Sequence, residues 1–433
     1  MIRLPVDGQG FADGQSLLAH GIGGSTDLPI PFLYAMVGAS WALTISFAVL
    51  ALAWKEPRFN DPEPSSDRPP RRRWLAAVGF VLVAWVLLAL YGGPATADNG
   101  AMGAFYVLMW VGLVPLALLF GHVWRDLSPW RTIQSVAGRA MGRPDGFASS
   151  YPSRLGYWPA AFGLFAFVWL ELASADPGSV GAARIWIAAY AVLMIAGGIA
   201  FGPRWFDRAD PFDVYSAIVA KLSPFIRDGR RHLHNPLRTL PSIPIDRGLI
   251  AVLATLLGST AYDSFSASSF WQSKSLSVVE HSLTLLVFVA VVATLFWLAA
   301  RASGGLPADE RAALSGRLAH SLAPIVVGYI FAHYLTFLVE KGQKTVIALG
   351  DPLGRGWQPF GDMTPSLWLS EHTSLLAALK VGFVVAGHVM AVIAAHDRAL
   401  VVLPKAHRLS GQLGMLVLMV AYTFTGLFLL FSV

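Results

Sequence analysis

The hydrophobic and polar positions of this chain are sorted into long blocks. Ten mostly apolar runs, at 31–54, 74–90, 102–120, 157–172, 185–201, 249–261, 276–300, 322–339, 375–395 and 413–431, are separated by stretches rich in Pro, Gly and Arg. A helix needs about 20 apolar residues to cross the hydrocarbon of a bilayer, at about 1.5 Å of rise per residue. The blocks therefore predict an all-α protein, a polytopic transmembrane helical bundle of about ten spans. The runs at 157–172 and 249–261 are short, and the second is expected either to extend through Asp263 or to lie in the interface. Residues 1–30 hold no apolar run, so no cleavable signal peptide is expected. They read as an extracytoplasmic segment ahead of a single transmembrane helical domain over 31–433.

The polar blocks give the orientation. Threading the ten runs alternately across a membrane puts 25 of the 32 Lys and Arg residues in five loops on one side. Positive loops stay in the cytoplasm, so both termini are expected outside, in a bacterial cytoplasmic (inner) membrane. The longest of these loops, 202–247, carries ADPFDVYSAIVAKLSPF and then the basic run RDGRRHLHNPLR. An aspartate N-cap followed by apolar residues at helical spacing predicts an amphipathic helix lying on the membrane, with the basic run next to anionic headgroups.

Composition narrows the chemistry. The chain is 433 residues long, 55% hydrophobic and 13% charged, against about 25% charged in a soluble domain. It has no cysteine, which excludes disulfides, thiolate metal sites and cysteine nucleophiles. Any metal must be held by His, Asp or Glu. The net charge of +6 is accounted for by the cytoplasmic loops, so the expected partners are the lipid bilayer and a small apolar substrate, not nucleic acid.

Ionisable groups inside apolar runs are the candidates for function, because each costs about 2.5 kcal/mol or more at membrane depth. The stretch AHSLAPIVVGYIFAHYLTFLVEKGQKTVIALGDPLGRGW places His333 well inside its run, and Glu280, His281, Lys380 and His388 do the same in two others. By depth, His281 and His333 fall two turns below the outer ends of their spans and His388 near the midplane. These three are expected as metal ligands, for a divalent transition metal such as Zn, Cu, Mn or Fe, with Asp263, Asp351 and Glu280 as catalytic carboxylates. His20 and Asp27, in HGIGGSTDLP, read as a lid or outer support for that site. A second cluster, His122, Asp126, His320, His396 and Asp397, falls on the cytoplasmic side, as interfacial anchors or as a gate or proton route. Lys380 is expected to snorkel outward or to pair with Asp351 or Glu371.

The segments AHGIGGSTDLPIP, LSPWR (127–131), YDSFS (262–266), AHY (332–334), GDPLGRGW (350–357), GHV (387–389) and AHDRAL (395–400) together resemble a family of bacterial, largely actinobacterial, polytopic membrane proteins labelled fenitrothion hydrolase. The resemblance spans nearly the whole chain. It implies hydrolysis of an organophosphorus ester, with no established catalytic motif to carry over.

Three functions follow as expectations. The first is a metal-dependent hydrolase, with the metal polarising a phosphoryl oxygen and activating water. The second is a transporter of a metal ion or small solute that uses intramembrane His, Asp, Glu and Lys as relay groups. The third is a haem or copper redox protein. It ranks last, because His388 and His396 are about 12 Å apart along one helix and cannot ligate one iron from both faces.

Overall fold

A computed structural model of the protein describes residues 28–59, 71–96, 98–148, 150–227, 230–231, 233–303 and 305–431. His20 and Asp27 lie outside the described residues. Apart from a two-residue β-ribbon that pairs Ile226–Arg227 with Arg230–Arg231, the regular structure is helical. The principal helices are α1 (Phe32–Ala53), α2 (Arg73–Gly92), α3 (Gly100–Val111 continued by Leu113–Phe120), α4 (Val123–Leu127), α5 (Pro129–Ala140), α6 (Trp158–Leu172), α7 (Val180–Phe201), α8 (Pro203–Ala209) and α9 (Pro211–Ala220). They are followed by α10 (Leu249–Ser266), α11 (Val278–Arg301), α12 (Ala308–Gly350), α13 (Thr373–Val402) and α14 (Leu413–Phe431).

Among the described residues eight helices are long and apolar enough to cross a membrane, and nine if the two halves of α3, bent by 46°, form one span. The chain is a multi-pass helical membrane protein. The expected ten spans are corrected to that number because α6, at 15 residues, falls short of a full crossing by length. Large apolar side chains on α1, α2, α7 and α11, among them Leu52, Val81, Ile185 and Val287, are exposed and form the face that meets lipid.

α12 is the axis. Its 43 residues are mostly buried, and they run through an α-segment at Leu322–Thr336 into a π-helical turn at Phe337–Lys341. Glycines let α13 reach it backbone to backbone: a Cβ on Gly328 would stand 2.5 Å from the Phe383 carbonyl, and one on Gly387 2.6 Å from that of Pro324. Small residues at such crossings are how membrane helices gain close packing. α10 is buried on nearly every side and meets α11 in the same way, through Gly258 against Val289.

Two readings of the sequence change here. The helix expected on the membrane surface is α9, and it is packed inside. Phe212, Val214, Tyr215, Ile218 and Val219 are buried, which puts apolar residues on all of its faces, as in a core helix. Asp210 is its N-cap, accepting from the Phe212 and Asp213 backbone N–H groups. His281 also moves: it is in the first turn of α11, which starts at Val278 behind a Ser277–Glu280 capping box, so it sits at the end of its span.

Candidate functional site

The ionisable residues of the bundle collect in two places. The first is built where the ladder of α12 breaks. Tyr334 has φ −102° and ψ 15°, and the turn after Phe337 is π-helical. A second π-helical stretch, Ala104–Val111 of α3, packs beside it, with Val107 lying 4.0 Å from a Cβ placed on Gly342. Such insertions re-aim side chains and recur at functional sites.

The side chains re-aimed by this break converge on Asp263 of α10. His333 Nε2 is 3.0 Å from Asp263 Oδ2, and the Tyr334 hydroxyl donates to the same oxygen at 2.8 Å. The carboxylate fixes the imidazole proton on Nε2, so Nδ1 is left as an acceptor. Ser264 Oγ stands 3.1 Å from that Nδ1 and also 3.1 Å from the Thr260 carbonyl. Its single hydroxyl proton thus has two acceptors. Tyr329 Oη follows at 3.1 Å from Ser264 Oγ and reaches the Gly426 carbonyl of α14 at 3.4 Å. The string Tyr334, Asp263, His333, Ser264, Tyr329 is buried along its length. Glu171 of α6 and Trp110 of α3 are close neighbours, both buried.

The second cluster surrounds α9. Asp213 Oδ1 is 2.8 Å from His122 Nε2, and its other oxygen receives Arg131, which also donates to Asp207 at 2.7 Å. Asp210 accepts from Tyr190 at 2.8 Å and from the Trp124 indole at 3.2 Å, beyond its two backbone donors. Burial works against the charge on Arg131, and Asp213 and Asp207 more than offset it, so its pKa lies above the ordinary guanidinium value. Burial also pushes Asp213 upward, but Arg131 and His122 overcome it and hold this carboxyl down at about 2. For Asp210, burial and the neighbouring Asp213 charge dominate and push the carboxyl up to about 7.

The metal site expected from His281, His333 and His388 is not assembled. His333 belongs to the Asp263 string. His281 bonds the Tyr262 hydroxyl at 2.8 Å through Nδ1. His388 donates to the Val384 carbonyl of its own helix at 2.8 Å, and its buried Nε2 has no hydrogen-bond partner among the described residues. No group of three His, Asp or Glu among the described residues is placed to hold a metal ion, so the donor set does not fit the expected cation. Of the three carboxylates expected to be catalytic, only Asp263 is in the network. Glu280 closes the capping box, accepting from the Ser277 N–H and hydroxyl at 2.7 Å. Asp351 caps an exposed loop, accepting from the Arg355 and Gly356 N–H groups at 2.9 and 2.6 Å. Lys380 is fully buried, so it does not snorkel outward.

The expected cytoplasmic cluster divides. His122 joins Asp213. Asp126 pairs with Arg72 at 2.6 Å. His320 bonds the Arg317 carbonyl at 3.1 Å. His396 and Asp397 form a clasp on the chain leaving α1: His396 bonds the Trp54 carbonyl and Gln412, while Asp397 accepts from the Trp54 indole and the Arg58 and Phe59 N–H groups. A cavity of about 20 Å³ borders His396 and Gln412, room for about one water.

Sequence reasoning passed over Ser264, Tyr329, Tyr334 and Trp110 as site residues. The available signal was the crowding of Ser259, Thr260, Ser264 and Tyr262 around Asp263 in an otherwise apolar run. No protein-family model matches the chain, and neither the curated proteins nor the solved structures contain a match.

Proposed function

We propose that the protein is a membrane transporter in which Asp263 takes up and releases a proton, moving protons or a small solute coupled to them. The observation that carries this reading is the unbroken string from Tyr329 through Ser264 and His333 to Asp263 and Tyr334, drawn from α10 and α12 and buried in an apolar bundle. Every member can both give and receive a proton or reorient a hydroxyl. Ionisable groups inside a membrane domain mark proton relays and ion paths. The π-helical breaks on α3 and α12 beside the string support the same reading, since an opened backbone ladder is what lets a helix shift locally. The excess of Lys and Arg in the loops at the end bearing Arg73, Arg301 and Lys405 supports a cytoplasmic position for that end, here called the basic end.

The test is proton flux in proteoliposomes carrying a trapped pH-sensitive dye, driven by a potassium diffusion potential. Asp263→Asn keeps an acceptor for Tyr334 but cannot titrate, and it is expected to lower the flux at least tenfold while the protein still purifies as a folded species. Flux at the wild-type level in Asp263→Asn overturns the reading.

One observation favours a second reading, hydrolysis, which the resemblance also implies. Ser264, His333 and Asp263 stand in the order of a nucleophile, base and orienting acid, at 3.1 and 3.0 Å. Ser264 is nearly inaccessible, which weighs against attack on a substrate. A fluorophosphonate probe separates the two: covalent labelling of Ser264 supports hydrolysis, and the absence of labelling in protein that transports protons supports transport.

A further inference from the structure

We infer that the Asp213 cluster is a second proton-binding site on the same route, loaded through His122 from the basic end and joined to the Asp263 string by the hydroxyl of Tyr215. This rests on the transport reading and adds to it an entry, an intermediate step and a direction.

The entry is His122. Its side chain is 29% exposed, whereas Asp213, 2.8 Å away, is completely buried. The imidazole therefore meets solvent on one side and a buried carboxylate on the other, and imidazole is the side chain that changes charge near neutral pH. The groups facing this pair come from every side. Arg131 of α5 and Asp207 of α8 touch directly, and Asp210 with Tyr190 of α7 lies behind them. Arg71, Arg125 and Asp126 stand at the rim, within electrostatic reach. Counting Arg72, paired to Asp126, four arginines oppose four aspartates, so the protonation of His122 sets the sign of the whole cluster.

The intermediate step is Tyr215. It follows Asp213 by two residues on α9, which turns it about 200° to the other face of the helix. Its ring stands 5.3 Å from that of Trp110, the neighbour of Tyr334, and Tyr334 bonds Asp263. The Tyr215 hydroxyl is completely buried and has no hydrogen-bond partner among the described residues. A buried hydroxyl that bonds nothing costs stability relative to phenylalanine, so packing alone does not account for tyrosine here. It stands between two buried acidic centres, one on each side of α9. A proton taken up by His122 passes to Asp213. A water molecule carries it to the Tyr215 oxygen, which accepts it on a lone pair as it releases its own proton toward Tyr334. Each hop breaks one O–H or N–H bond and makes another, so no co-reactant besides water is consumed.

Tyr215→Phe and His122→Gln, run beside Asp263→Asn in the same proteoliposomes, test this. Tyr215→Phe is expected to lower proton flux at least tenfold with its thermal unfolding temperature unchanged or raised, a pairing that a structural role does not produce. His122→Gln is expected to flatten the dependence of flux on pH between 5 and 8 when only the basic side is varied. Wild-type flux in Tyr215→Phe, or an unchanged pH profile in His122→Gln, with Asp263→Asn inactive, overturns this inference and leaves the transport reading standing. A Tyr215→Phe protein that no longer folds also overturns it, since the hydroxyl would then be holding the structure. Full flux in Asp263→Asn removes the transport reading and the inference with it.

Discussion

Two histidine–aspartate pairs, His333–Asp263 and His122–Asp213, share nearly the same contact, 3.0 and 2.8 Å, in opposite settings. Asp263 is bonded by an imidazole and a phenol, with a serine and a second phenol behind them. Asp213 is bonded by an imidazole and an arginine, with two further aspartates in the same cluster. In the first setting a proton can move along the string without stranding a permanent charge. In the second, Arg131 is always charged, so removing either partner leaves a bare ion in the core. The same pair of side chains can thus be a movable site or a fixed one, and the difference lies in whether a guanidinium is in direct contact.

The comparison breaks most visibly at Arg131. Arg131→Leu leaves Asp213 and Asp207 without their cation, and removing one partner of a buried ion pair costs about 3–5 kcal/mol. The variant is expected to lose most of its folded, monodisperse fraction in fluorescence-detected size-exclusion chromatography, with Arg131→Lys recovering part of it. An unchanged elution profile and unfolding temperature in Arg131→Leu would remove the contrast. His333→Gln is the matching change at the other pair. It keeps a polar group beside Ser264 and Asp263 and is expected to cost about 1–3 kcal/mol, yet to reduce proton flux at least as much as Asp263→Asn. Retained flux with lost stability would reverse the roles assigned to the two centres.

The pH dependence of stability separates the carboxylates within the second cluster. Asp210 is raised to about 7, so between its unfolded value near 4 and 7 the folded protein binds the extra proton. Stability therefore falls as pH rises through that window. Asp213 is held at about 2, so its contribution is complete above about pH 4 and is lost only as pH falls toward 2. Thermal unfolding in detergent is expected to show a decline from pH 4 to pH 7, with a slope of at most about 1 kcal/mol per pH unit, that disappears in Asp210→Asn. An equal decline in the variant would assign it to another group.

These contrasts also mark how far the sequence could be read. The apolar blocks of α1, α2, α7, α11, α13 and α14 are long, and lipid contact forces their composition, so those helices were legible to within a few residues. α12 was read as a short span at 322–339 and is helical from Ala308 to Gly350, because its flanking turns are buried against protein and need not be apolar. Asp263, His333 and His122 were singled out by depth or by loop position. The pairing of His333 with Asp263 was not legible, since it depends on the Tyr334 break, and broken helix ladders leave no periodic trace. The second cluster was misread for a different reason. ADPFDVY gives the N-cap correctly, but whether a ten-residue helix lies on the bilayer or inside the bundle is decided by what packs on its far side. Phe167, Trp186 and Trp110, supplied by α6, α7 and α3, cover it.

The smallest expected effect is the sharpest test of the first centre. Ser264→Ala removes a hydroxyl bonded within the string but no charge, so it should cost about 1 kcal/mol, and the small side chain leaves little void. Tyr329 keeps the Gly426 carbonyl as an acceptor, and His333 keeps Asp263, so the fold has no reason to change. If the string conducts, flux should nonetheless drop severalfold, and Ser264→Thr, which restores a hydroxyl on the same carbon, should recover part of it. If Ser264 only ties α10 to α12, both variants should transport normally and differ from wild type in unfolding temperature alone. The second outcome would confine proton exchange to Asp263, His333 and Tyr334, and would make the centre a single binding site with no conducting chain attached.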